Sequence, residues 1–438
     1  MSLPPHALSY IAAAAQCQDS RAQYIWLDVD PGHDDALAIL AAVHLPQIAV
    51  LGVSAVHGNA SLPNTTLNAA RCLEAFGAPP EIAVYAGCSR PLLRPRVDAA
   101  DIHGSDGLGG VEGLRTLSDA AVLGRVNRSG GLHPSTAIAL ACEVAQKRGK
   151  KLTLVAAGPL TNVALFVSLY PLLVRDALAE IVIMGGAVGV GNKTPVAEYN
   201  IVCDPDAAQI VLDAEVIVRM IPLQCTHQAI LDGPTHALIR NPDAKDTVAA
   251  LTTPAVSPLR TMISSLVTFF AETYRDAFGF SHGPPMHDVL TVMYVALPEL
   301  FTGKRYRVDV ERSSPLTLGQ TVVDVYGAKS ASLAAMAEPE SAQSWGPAGK
   351  NVWVGESVQT VKLWQHLLEC IKQCDRVSPL NIASSSAEST PKANATDALE
   401  SPTPSLPDEP DPTPSALADS IKDIFVKTPS NGIGGGDS

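Results

Sequence analysis

Tyr24-Ile-Trp-Leu-Asp28-Val-Asp30-Pro31-Gly32-His33-Asp34-Asp35-Ala36 is the stretch that decides the fold. Its first half is an apolar run rich in β-branched and aromatic residues, the pattern of a strand covered on both faces. Pro31-Gly32 then turns the chain, and a helical pattern runs from Asp35 to Ala42. A strand that passes directly into a helix is the repeating unit of an α/β protein.

The same alternation continues downstream. Ile48-Ala-Val-Leu-Gly-Val-Ser-Ala55, Leu152-Thr-Leu-Val-Ala-Ala157, Ile181-Val-Ile-Met184 and Val216-Ile-Val-Arg-Met-Ile221 are further strand candidates. Helical patterns at Leu67 to Phe76, Ser135 to Gln146 and Ala207 to Leu212 lie between them. The expectation is an open, mostly parallel, Rossmann-like sheet flanked by helices. Ligands of such sheets bind beyond the carboxyl ends of the strands, near a topological switch point. Asp30, Asp34 and Asp35 follow the first strand, Asn59 the second, and glycines follow the later ones, so polar groups gather at one edge.

Composition bounds the function. The 438 residues are 46% apolar and 17% charged, with a net charge of −13, which suits a compact enzyme and lacks the basic footprint of a nucleic-acid binder. No apolar stretch is long enough to span a bilayer, and there is no secretory signal, which implies a cytoplasmic or nuclear location. The eight cysteines have no metal-finger spacing and read as free thiols. Residues 1–22 look like a weakly ordered lead-in, 23–376 like the catalytic domain, and 377–438 like a disordered Pro/Ser/Thr-rich tail. Within that tail, Ser420 to Lys427 has the pattern of a short amphipathic turn. Residues Ser330 to Lys350 read as an exposed insertion.

Four carboxylates fall within eight residues at the strand-to-helix turn: Asp28, Asp30, Asp34 and Asp35. Like charges at that spacing repel unless a cation lies between them, and oxygen-only ligands suit Ca²⁺ or Mg²⁺. The alternative is helix capping, which accounts for one or two aspartates but not four.

Here the chain resembles the inosine-uridine preferring nucleoside hydrolases. Asp28-x-Asp-Pro-Gly-x-Asp-Asp-Ala36 is that family's fingerprint, and further segments follow in order. They are Val56-His-Gly-Asn59, Leu154-Val-Ala-Ala-Gly-Pro-Leu-Thr-Asn162, Met184-Gly-Gly186, Gly191-Asn192, Val196-Ala-Glu-Tyr-Asn200, Asp204-Pro-Asp-Ala-Ala208 and Met286-His-Asp288. The resemblance implies a calcium-dependent enzyme of nucleoside salvage that hydrolyses the N-glycosidic bond of uridine- or inosine-type ribonucleosides, working as a homodimer or homotetramer.

It also implies roles. Asp30, Asp35, Asp288 and the carbonyl of Ala157 would bind Ca²⁺. Asp34, Asn59, Asn192, Glu198 and Asn200 would bind the ribose hydroxyls, with Met184 against the sugar. Asp30 would be the general base for a water that attacks C1′ with inversion. His287 would sit near the departing base as the candidate acid, its alternative being a satisfied core histidine. His103, in a glycine-rich loop suited to closing over substrate, and Tyr274, in a helical i, i+4 pair with Phe270, would line the base site or, equally, be loop and core residues. His33 stands where the family often has an aliphatic residue, and is either close to the site or a histidine at the start of a surface helix.

Two other functions compete with this reading. An aspartyl phosphatase fits Asp28-Val-Asp30 but wants Thr where Gly32 stands, and leaves Asp34-Asp35 unexplained. A non-catalytic binder on the same scaffold is not excluded by fold alone, but every polar side chain matched to the family is in place.

Overall fold

The computed structural model describes residues 5–19, 21–336 and 345–382. Its strands are β1 Gln23–Val29, β2 Ile48–Ala55, β3 Val84–Ala86, β4 Leu152–Ala156, β5 Leu178–Met184, β6 Ile217–Ile221, β7 Phe301–Tyr306, β8 Val308–Val310, β9 Thr321–Val323 and β10 Val352–Val358. Eight of them form one sheet in the order β3-β2-β1-β4-β5-β6-β10-β7. All pairings are parallel except β10 with β7. β8 and β9 form a separate antiparallel pair.

The apolar strands become parallel because both faces are covered. Every residue of β2 and β4 is buried, and in β1 only Gln23 is exposed. One core gathers Tyr24, Trp26, Leu154, Ile181, Ile183 and Val218 from the sheet with Ile138 and Phe166 from the helices Pro134–Lys147 and Thr161–Leu169. On the other face, the helix His33–His44 packs against Val289–Ala296 and Thr360–Val377. Each large apolar side chain taken fully out of water contributes about 1.5–3 kcal/mol.

This order places the site. The chain builds β2 and β3 on one side of β1, then returns to build β4, β5 and β6 on the other. The switch point therefore lies between β1 and β4, whose ends are in register at Asp28 and Ala156. The loop carrying Asp30 and the carbonyl of Ala157 leave from that crevice.

The structure departs from the sequence expectations in three places. Pro5–Gln16 is a helix packed on β2 and on Pro134–Lys147, with Ile11 and Ala15 in the core, so the segment before β1 is not a loose lead-in throughout. At the other end, the Ser378 hydroxyl donates to the Ala75 carbonyl (2.7 Å) and Asn381 Oδ1 accepts from Leu259 N (3.1 Å), which ties residues beyond 377 to the body. The rest of the expected tail, from 383 and including Ser420 to Lys427, lies outside the described residues. Of the expected insertion, Ala328–Met336 is a helix and 337–344 lie outside the described residues.

Candidate active site

The carboxylates meet because three elements end at one point. β1 delivers Asp28 and, one residue past its end, Asp30. Asp34 and Asp35 occupy the first turn of His33–His44. Asp288 immediately precedes Val289–Ala296, whose packing on His33–His44 carries it in from the far end of the chain. Asp34, Asp35 and Asp288 can each offer an oxygen within 4.8 Å of the others, and all three are buried. Burial first, and then the neighbouring charges of Asp35 and of the partner aspartates, push Asp34 up to about 7 and Asp30 and Asp288 well above the carboxylate range.

Capping accounts for part of this set. Asp35 Oδ2 accepts from Gly32 N at 2.9 Å, which satisfies one of the free amides at the helix start. Asp30 is outside the tight trio and does something else. Its Oδ2 accepts from Asn59 N at 2.8 Å, while its Oδ1 is buried with no hydrogen-bond partner. A bare, buried carboxylate oxygen is costly unless a cation is present to meet it. The glycines around it leave that space open. A Cβ on Gly158 would come within 2.5 Å of Asp30 Oδ1, and one on Gly58 would collide with Oδ2. A hard divalent cation fits this donor set, which contains no sulfur or nitrogen.

Asp28 belongs to a row beneath the site. Its Oδ1 accepts from the Ser54 hydroxyl and from Asn162 Nδ2 (2.8 Å), and Trp26 Nε1 donates to Ser54 Oγ (2.8 Å). Burial pushes Asp28 up to about 7. The quartet therefore divides: Asp28 is held by the protein's own donors through Oδ1, its Oδ2 being buried without a partner, and Asp34 and Asp35 group with Asp288.

Above the carboxylates is a cavity of about 260 Å³, room for one small ligand. Among the residues assigned from the sequence, Asp34, Asn59, His103, Ala157, Met184, Asn192, Glu198, Asn200, Tyr274, His287 and Asp288 line it, and Asp30 and Asp35, which do not, are tied to it through Asn59. Glu198 is fixed by three backbone amides: Asn200 N (2.7 Å) on Oε1, and Gly186 N and Ile201 N (both 3.0 Å) on Oε2. Burial nevertheless outweighs those bonds and pushes its carboxyl up to about 7. Asn200 Nδ2 donates to the Ala157 carbonyl at 2.7 Å, leaving that oxygen a second lone pair. Asn192 Oδ1 accepts from Tyr199 N (2.9 Å), which aims Asn192 into the same space. Asn59 Nδ2 is directed to the Asp30 carbonyl (3.1 Å) and Asp35 Oδ2 (3.3 Å), so it braces the carboxylates as well as lining the cavity.

The opposite wall is aromatic. Phe270 and Tyr274 pack edge to face at 4.5 Å, and Tyr274 lies 5.0 Å from Phe278. Both ring nitrogens of His287 are engaged, Nδ1 with Thr226 Oγ1 and Nε2 with the Tyr274 hydroxyl, each at 2.8 Å. Burial and the neighbouring His227 lower it to about 3, so it is neutral. His287 thus reaches the cavity through Tyr274. Thr226, Tyr199 and Phe278 went unread in the sequence. Tyr199 lies inside the Val196 to Asn200 motif and Phe278 one turn after Tyr274 on the helix Pro258–Phe278, signals that could have found them, whereas no motif marks Thr226.

The geometry has counterparts among known proteins. The family model for the inosine-uridine preferring nucleoside hydrolase matches residues 25–365. A probable ribonucleoside hydrolase of Dictyostelium discoideum is 35% identical over 357 residues, covering 80% of this chain and 94% of that protein. A pyrimidine-specific ribonucleoside hydrolase of Citrobacter koseri is 37% identical, covering 69% and 88%. Among solved structures, a purine-preferring ribonucleoside hydrolase from Gardnerella vaginalis superposes with a TM-score of 0.65 at 26% identity, covering 81% of this chain and all of that one.

Proposed function

This chain belongs to the inosine-uridine preferring nucleoside hydrolase family and hydrolyses ribonucleoside N-glycosidic bonds, and from that premise we propose how its residues divide the work. Asp30, Asp35 and Asp288, with the Ala157 carbonyl, would hold Ca²⁺, which when bound would grip the 2′- and 3′-hydroxyls of ribose and lower the pKa of a water. The observation that carries this assignment is the buried, unpartnered Oδ1 of Asp30 beside Asp34, Asp35 and Asp288.

Asp30 takes a proton from the attacking water. Asp34, Asn59, Asn192, Glu198 and Asn200 hold the ribose hydroxyls, and Met184 packs against the sugar. As the C–N bond breaks, positive charge grows on the ribose, where these carboxylates and amide oxygens lie, and negative charge grows on the base. The base lies against Tyr274 and His103, and His287 orients the Tyr274 hydroxyl. Attack from the carboxylate floor, away from the aromatic wall, supports inversion at C1′. A homodimer or homotetramer working in the cytoplasm belongs to the same proposal.

Pyrimidine ribonucleosides are the favoured substrates. Relatives named pyrimidine-specific are 36–38% identical to this chain, whereas the solved structure named purine-preferring is 26% identical. Ribose release from uridine, cytidine and inosine, measured with calcium and with a chelator, tests the whole assignment. Release that is stopped by chelator and restored by calcium is expected, fastest with a pyrimidine. Release indifferent to chelator would remove the cation from the scheme, and a faster rate on inosine would reverse the substrate order.

A further inference from the structure

His33 and His103 face each other through the same ring nitrogen. Their Nδ1 atoms lie 3.2 Å apart, and both side chains are buried, 1% and 6% exposed. An Nδ1–Nδ1 hydrogen bond holds one proton, so one ring donates and the other accepts. Burial disfavours a charge on either ring, so each imidazole carries a single proton. The pair then has two arrangements. In the first, His33 donates and His103 carries its own proton on Nε2. In the second, His103 donates and His33 carries its proton on Nε2.

The surroundings of His33 choose between them. Its Nε2 is buried and has no hydrogen-bond partner. The Leu108 carbonyl and the Asp106 carboxylate lie near enough to favour a proton on the ring, but neither reaches hydrogen-bond geometry with Nε2. An orphaned buried N–H is rarer in proteins than an orphaned acceptor. The bare nitrogen therefore falls on His33 Nε2, and the His33 proton lies on Nδ1. The ring is held in place to donate from there: it stacks on Phe269 at 4.9 Å and 8°, and on Phe270 at 5.3 Å and 11°. His103 in turn lies against Gly32, where a Cβ would run into its Nδ1 edge.

We propose that His33 is a positioning residue: by donating Nδ1–H to His103 Nδ1, it fixes His103 in the tautomer whose proton is on Nε2. His103 lines the cavity, and with Nδ1 committed to His33 that Nε2–H is its donor to the base as the base takes up negative charge. A neutral imidazole acts here as a hydrogen-bond donor to the leaving group, with no net proton transfer required. The proposal rests on the hydrolase function stated above.

The test compares two leaving groups in three proteins. One substrate is the nucleoside the wild type cleaves best. The other is a 4-nitrophenyl riboside, whose phenolate departs without help. His33→Phe keeps an aromatic ring against Phe269 and removes the donor. His33→Asn restores an N–H close to the position of Nδ1. Loss of one donor to a developing charge is worth about 10²–10³ in kcat, and because His33 acts through His103 the expected loss for His33→Phe is about 10–100-fold in kcat on the nucleoside, with KM little changed. Turnover of the aryl riboside should stay within about twofold, and His33→Asn should recover most of the nucleoside rate. Parallel loss on both substrates, no loss on either, or an Asn variant no better than Phe would overturn the proposal. A wild type that cleaves neither substrate would overturn the hydrolase function and this proposal with it, whereas an active wild type isolates the role of His33.

Discussion

Glu198→Gln removes a charge without changing shape, and its cost can be followed atom by atom. The carboxylate accepts from Asn200 N on one oxygen and from Gly186 N and Ile201 N on the other. Glutamine satisfies most donors by placing its oxygen where two amides converge, which leaves its NH₂ facing Asn200 N, a donor against a donor. One hydrogen bond to a charged acceptor is lost, about 1.5–3 kcal/mol. The two that survive become neutral and weaken by roughly half. The total is about 3 kcal/mol, or about 100-fold when expressed in a rate. It falls on the first turn of Tyr199–Cys203, which aims the Asn200 amide at the Ala157 carbonyl. The assay is kcat/KM for ribose release beside the melting temperature of the same preparation. A fall of about 100-fold in kcat/KM, part of it traded for a lower melting temperature, is expected. Turnover within threefold of wild type at an unchanged melting temperature would refute the anchoring role of Glu198.

Further outcomes follow from the same geometry. Asp30→Asn should fold normally and lose at least about 10³ in kcat, as expected for removal of a general base and cation ligand together; retained turnover would move the base elsewhere. Stability should depend on pH in a direction unusual for carboxylates. Burial raises Asp34 and Glu198 to about 7, so between about pH 4 and 7 the folded chain binds more protons than the unfolded one, and its stability falls as pH rises through that window. In chelator the melting temperature should therefore drop from pH 5 to pH 8, and saturating calcium should flatten or reverse the drop; identical profiles would show that no cation meets these carboxylates. Arg260→Ala should destabilise the fold by about 3–5 kcal/mol in denaturant unfolding. The buried guanidinium donates to Asp375 and to the carbonyls of Leu238 and Ile239, joining Pro258–Phe278 to the helix Thr360–Val377. A change below about 1 kcal/mol would mean those groups find other partners.

Much of the sheet was legible because burial on both faces leaves a continuous apolar run. Ile48–Ala55 is read from the sequence with the bounds it has in the structure. β10 and β7 were not read as sheet strands, since Phe301–Tyr306 at the edge alternates weakly and is half exposed. The carboxylates were legible because four aspartates at one turn demand an explanation. What the sequence could not say is how they divide. Asp28 turns to Ser54 and Asn162, and Asp34 joins Asp35 and Asp288 in the tight group. Those are matters of side-chain direction that spacing does not encode. The engagement of His287 by Thr226 and of His103 by His33 joins residues 61 and 70 apart in the chain, and even Tyr274, 13 residues before His287, meets it only through the fold, so no local pattern announces these contacts.

One feature of the sheet bears on how the protein is made. β10, residues 352–358, lies between β6 and β7, strands that leave the ribosome much earlier. The Asp288 end of the site can therefore emerge before the sheet has closed. Until β10 arrives, β6 carries an unfilled row of amides and carbonyls on a buried-type strand, a template on which another nascent chain could pair. Slow synthesis or slow refolding at high concentration should lose material to aggregation through that gap, and a chaperone that shields the β6 edge should raise the yield without touching the active site.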